Sequence, residues 1–186
     1  MRNRFLLTRR QALTFTGYSL AISPLLRAAG GPEAAPGFSA KTISGESFNN
    51  RSLMGKVLLV EFWATWCPYC KRDAEPLDDL AVEFEKQGLV VLAVDVAESK
   101  KTVKAFLDRN PRKSKVVLME DTNLAAVFAA KSFPQYVLID RDGRVAAEQN
   151  GSGGEAALRR MLRKAGLESK EDDDGPVELQ SSPRRG

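Results

Sequence analysis

One run constrains this chain more than any other: Val57-Leu58-Leu59-Val60-Glu61-Phe62-Trp63-Ala64-Thr65-Trp66-Cys67-Pro68-Tyr69-Cys70. A mostly apolar strand pattern ends in a short turn, and a long helical pattern starts just behind it. A strand feeding a helix in this way sets Cys67 at the helix N-terminus. Free N–H groups and the positive end of the helix dipole favour a thiolate there and lower the thiol pKa. Cys70 follows nearly one helical turn later, within reach of a mixed disulfide formed at Cys67. The spacing therefore gives a dithiol that can cycle.

These are the only two cysteines, and the chain has no histidine. A structural zinc site takes four ligands, usually Cys and His. A catalytic Cys–His pair is excluded for the same reason. A purely structural bridge would close a tiny loop and constrain little of the unfolded chain. The redox reading is preferred, with an inert staple and a metal clip as alternatives. It needs no metal and no cofactor beyond the Cys67–Cys70 disulfide itself.

The ends of the chain read differently from its body. Thr8-Arg9-Arg10-Gln11-Ala12-Leu13 resembles a twin-arginine export signal, and the apolar stretch from Ala12 to Leu26 has signal-peptide length. That stretch is too short to span a membrane comfortably. The alternatives are a general secretory signal or an uncleaved N-terminal anchor. Residues 1–35 hold five basic side chains and one acid, so the rest carries 23 of each sign. The pI of about 9.1 thus belongs to the leader, and no nucleic-acid partner is expected. Residues 36–167 are the size of one domain. Residues 168–186, with Glu171-Asp172-Asp173-Asp174 and few apolar side chains, read as a disordered polar tail.

Between the ends, strands and helices alternate. Phe38 to Met54 reads as a hairpin and turn, and Val57 to Trp63 as a buried strand. Pro68 to Gln87 reads as a helix, with a kink expected at Pro76 and a stop at Gly88. Leu89 to Val96 is a second buried strand. Ser99 caps a helix to about Asn110. Lys115 to Met119 reads as a short strand, Thr122 to Lys131 as a helix, and Gln135 to Asp140 with Arg144 to Gln149 as a hairpin. Glu155 to Ala165 closes as an amphipathic helix. The order implies an α/β domain, a mixed sheet covered by helices.

With these residues in view, the chain resembles the thioredoxin superfamily, specifically the exported TlpA/ResA-like thiol–disulfide oxidoreductases. The resemblance covers about Phe38 to Leu167. It rests on Gly55 to Lys71, on Val90 to Val96 with the inserted helix after it, and on Phe133-Pro134-Gln135-Tyr136-Val137-Leu138-Ile139-Asp140-Arg141-Asp142-Gly143. It implies a thioredoxin-like fold with an N-terminal hairpin and an inserted helix. It also implies that Pro134 is cis and lies against the cysteines, with the Phe133 backbone offering hydrogen bonds to an extended client. Phe133 is larger than the residue usual there.

Glu61 falls where thioredoxins carry a buried acid. A carboxyl inside an apolar strand has a raised pKa and can move the proton of Cys70; the plainer reading is a strand residue facing a lysine or water. Asp73 matches a thiol-tuning glutamate of ResA-like members, or is simply a first-turn helix acid. Trp66 is expected to shield the dithiol and, with Pro68 and Tyr69, to meet the client; Trp63 is read as core. Lys100, Lys101, Lys104, Arg109, Arg112, Lys113 and Lys115 read as a solvated basic face.

These readings converge on a periplasmic enzyme that reduces disulfides of exported clients, with apocytochrome c as the client class the resemblance implies. The resemblance also implies a membrane-bound electron donor that re-reduces it. The alternatives are a dithiol oxidase working in reverse and a Cu(I) chaperone, since soft thiolates select Cu(I).

Overall fold

A computed structural model describes residues 33–96 and 98–169. The leader expected at residues 1–35 lies outside them up to residue 32, as does the tail beyond residue 169. Seven strands form one sheet among the described residues: β1 (Ser39–Thr42), β2 (Ser47–Asn49), β3 (Val57–Trp63), β4 (Leu89–Asp95), β5 (Lys115–Thr122), β6 (Gln135–Ile139) and β7 (Val145–Asn150). Their order across the sheet is β2-β1-β5-β4-β3-β6-β7. The centre is parallel, with β3 on β4 and β4 on β5, and both margins are antiparallel.

β3 and β4 are buried along their whole lengths. Continuous apolar runs suit this position, because helices or loops cover both faces of a central parallel pair. On one face, Leu77 and Leu80 of α1 (Pro68–Glu83), with Phe84 at its C-cap, meet Leu158, Met161 and Leu162 of α4 (Gly154–Arg163) over Val57, Leu59 and Val91. On the other face, Leu58, Val60 and Phe62 pack with Leu92, Val94 and Val137. A third cluster gathers Cys67 and Cys70 with Trp63, Ala93, Leu118 and Val103 of α2 (Lys100–Leu107). The cysteines therefore stand on packed elements, at the sheet end where β3 turns into α1.

Several expected boundaries move. α1 passes through Pro76 and stops at Glu83, and the last turn, Glu85–Gln87, tightens to a 3₁₀ helix before Gly88. Gly88 takes φ 89°, the left-handed stop that glycine adopts without a Cβ penalty. α2 ends at Leu107, short of Asn110. β5 runs on to Thr122, because Ala40 and Thr42 of β1 pair with it across a register irregularity. The helix expected over Thr122 to Lys131 shrinks to α3 (Leu124–Val127), since Thr122 is spent on the strand. No helix among the described residues is long and apolar enough to cross a membrane.

Candidate active site

Cys67 is the N-cap of α1, with extended φ/ψ of −78° and 111°, and Pro68 opens the helix proper. Proline suits that position because its missing N–H costs no intrahelical bond. The Cys67 sulfur accepts the Cys70 N–H at 3.1 Å. The two cysteines are joined as a disulfide and are 2% and 1% exposed. Such a donor favours the thiolate over the thiol once the pair is reduced.

The surface around the pair is aromatic. Trp66 is 65% exposed and Tyr69 57%. The Trp66 ring meets Phe133 edge-on at 6.1 Å, and Phe133 packs in turn on the cluster holding both cysteines. The Phe133–Pro134 bond is cis, Pro134 is buried, and its carbonyl accepts the Gly151 N–H at 2.7 Å. Chain folding thus brings Trp66, Cys67, Cys70 and Phe133 together from two distant segments. Trp63 is core, at 1% exposure.

Beneath this surface lie buried acids. Glu61 is fully buried on β3, and its Oε2 accepts from Arg112 at 2.8 Å. The same guanidinium donates to Asp78 of α1 at 3.2 Å and lies over the Trp63 ring at 5.4 Å. Asp78 also takes the N–H groups of Lys113 and Ser114 and the Ser114 hydroxyl. Burial pushes the Glu61 carboxyl up, and Arg112 pulls it partly back. Glu61 Oε1 has no partner among the described residues. An open groove of about 530 Å³, lined in part by Lys71, Asp78, Phe106 and Arg112, brings solvent to this network.

Two sequence readings need correction here. Arg112 does not belong to a solvated face: its side chain is 4% exposed, because the segment after α2 turns it inward onto two carboxylates. Glu61 therefore faces an arginine rather than a lysine or water. Asp73 is no first-turn acid either. It lies in the second turn of α1, fully buried, where the Tyr136 hydroxyl donates to it at 3.1 Å and Ser152 donates to its other oxygen. Tyr136 is the β6 register partner of Glu61, so the two acids share one buried neighbourhood.

Sequence reasoning missed Arg112, Asp78, Tyr136 and Ser152. It also passed over Asp95 and Glu98, behind the turn that leads into Cys67. One signal was present: an aspartate ending a strand expected to be buried on both faces has to be compensated by something.

A cysteine pair that caps a helix at the edge of a mixed, thioredoxin-like sheet defines a thiol–disulfide oxidoreductase. The AhpC/TSA family model matches residues 32–148, and the chain belongs to that family. It is 30% identical over 145 residues to the thiol-disulfide oxidoreductase ResA of Geobacillus thermodenitrificans, covering 78% of this chain and 83% of that one. The ResA of Halalkalibacterium halodurans is 29% identical over 151 residues, covering 81% and 85%. A thiol:disulfide interchange protein of the thioredoxin family from Chlorobium tepidum TLS superposes with a TM-score of 0.66 at 26% identity, covering 74% of this chain and 99% of that one. StoA from Bacillus subtilis shares the fold, with a TM-score of 0.60 at 20% identity over 70% of this chain and 99% of its own.

Proposed function

We propose that this enzyme works outside the cytoplasm, in the periplasm, as a reductant of disulfides in exported client proteins, apocytochrome c among them. The observation that carries the reading is the Cys67 sulfur at the α1 N-cap, accepting the Cys70 N–H. The Cys67 thiolate attacks one sulfur of a client disulfide. A mixed disulfide forms, and the other client sulfur leaves as a thiolate and takes a proton. Cys70 loses its proton, attacks Cys67, and releases the second client thiol. Two electrons pass to the client, and Cys67–Cys70 ends as the disulfide.

Glu61 is the proposed acceptor of the Cys70 proton, since burial makes its carboxylate a stronger base. Asp73, one turn along from Cys70 and held by Tyr136 and Ser152, is the proposed tuner of the thiols. Trp66, Pro68, Tyr69 and Phe133 form the surface on which an extended client segment lies, with backbone hydrogen bonds at Phe133 and Pro134 packing below it. A membrane-bound dithiol donor returns the pair to its reduced form.

The test equilibrates the protein in glutathione and dithiothreitol buffers and counts free thiols by maleimide gel shift. A potential near about −270 mV is expected of a reductant. A potential near about −120 mV reassigns the enzyme as a dithiol oxidase.

A further inference from the structure

Thr65, two residues ahead of Cys67, is gripped by one side chain. Its N–H donates to Glu98 Oε2 and its hydroxyl to Glu98 Oε1, both at 2.6 Å. Glu98 comes from the segment between β4 and α2, so the lead into the inserted helix holds the active-site turn. Behind it, Asp95 ends β4 fully buried, and neither of its carboxyl oxygens meets a well-aligned donor among the described residues; its near neighbours are the Glu98 carboxylate and, pulling weakly the other way, the Glu98 backbone N–H. Its register neighbours, Trp63 on β3 and Leu118 on β5, carry no charge.

Two carboxylates are acceptors only and cannot bond to one another. A single proton on Asp95 turns it into a donor toward Glu98. Burial, and then the neighbouring Glu98, push Asp95 up to about 7. Burial would raise Glu98 as well, but its two bonds from Thr65 hold it below the ordinary range, with Lys71 of α1 adding to the pull. The proton therefore sits on Asp95. Lys100 and Lys101, two and three residues after Glu98, are exposed at the start of α2, and Cys67 joins the titratable groups only once its disulfide is reduced.

We propose that Asp95 and Glu98 are positioning residues for the thiol–disulfide reaction, sharing one proton that keeps Glu98 on Thr65 and so fixes the turn carrying Trp66 and Cys67. Loss of that proton sets two carboxylates against each other behind the turn. Glu98 is pushed off Thr65, and the added negative charge disfavours the Cys67 thiolate. Both effects slow Cys67. The proposal rests on Cys67 being the attacking thiol.

The first test uses the oxidised protein, in which no thiol titrates. The Thr65 amide proton is followed by NMR from pH 5 to 9. It is expected to shift with a midpoint near about 7 and to stop titrating in Asp95→Asn, whose amide donates to Glu98 at every pH. A flat Thr65 signal in the wild type, or an unchanged titration in Asp95→Asn, overturns the shared proton. The reduced protein is then alkylated with iodoacetamide and the label mapped by mass spectrometry. At pH 8 Asp95→Asn is expected to react about 3-fold faster than the wild type and Glu98→Gln about 3-fold slower, a difference of roughly half a log unit each. At pH 5.5 Asp95→Asn and the wild type are expected to match. Equal rates at pH 8 overturn the coupling to reactivity. Label arriving first at Cys70, with Thr65 still titrating, overturns instead the assignment of Cys67 as the attacking thiol.

Discussion

Glu61 and Asp95 stand on neighbouring parallel strands, on the same face of the sheet, and both are fully buried. Glu61 is compensated by a charge: Arg112 reaches it at 2.8 Å and reaches Asp78 as well. Asp95 is compensated by a proton, and among the described residues Glu98 is the charged neighbour that acts on it. Trp63 separates the two, with Arg112 over its ring and Asp95 as its register partner. A buried acid thus has two ways to persist, and they respond oppositely to change. The ion pair depends on a second side chain and withstands pH. The protonated acid needs no cation but depends on pH.

The comparison breaks most visibly at Arg112. Arg112→Leu leaves the buried Glu61 without its cation and Asp78 with only its neutral donors from Lys113 and Ser114, and is expected to cost about 3–5 kcal/mol in urea unfolding. Adding Glu61→Gln is expected to restore part of that loss. A single variant within about 1 kcal/mol of wild type would sink the charge-compensated half of the argument.

Asp95→Asn is expected to act in the opposite direction. The folded pKa of Asp95, about 7, lies above the ordinary aspartate value of 3.8. Its contribution to stability is therefore fully present below about pH 4 and lost as pH rises to 7 and beyond. Asn does not ionise, so the variant should match wild type near pH 4 and exceed it above pH 7. The separation of roughly three pH units sets an upper limit of about 4 kcal/mol. Unfolding midpoints at pH 4.5, 6 and 8 check this; a constant offset between the two proteins contradicts it.

Smaller effects sharpen the contrast. Tyr136→Phe removes one of the two donors to Asp73 and is expected to cost about 1–2 kcal/mol, measured in the same way. Lys113→Ala breaks the exposed pair with Asp79 next door to Arg112. It should leave the unfolding midpoint unmoved, because solvent already screens that pair.

The central strands, α1, the cysteine pair, the buried Glu61 and the cis Phe133–Pro134 bond were all legible in the sequence. The first four are local: apolar runs, a helix pattern and an acid inside a strand report their own surroundings. The cis bond came through the family resemblance. What surrounds the buried acids was not legible, since Arg112 meets Glu61 across 51 positions and Ser152 meets Asp73 across 79. Arg112 sits in a run of lysines and arginines that mostly face solvent, and only the turn after α2 points it inward. The length of β5 was hidden for a similar reason, because its last residues become strand only through pairing with β1.

The two tryptophans, set three positions apart, have opposite surroundings: Trp63 is 1% exposed beneath a guanidinium, and Trp66 is 65% exposed beside Phe133. Light emitted by the folded protein therefore comes from one indole shut away from solvent and one open to it. An aqueous quencher such as iodide reaches only the second, which borders the cysteine pair. The chain carries its own optical label at the place where clients are expected to land, and a second, shielded indole in the core cluster that holds both cysteines.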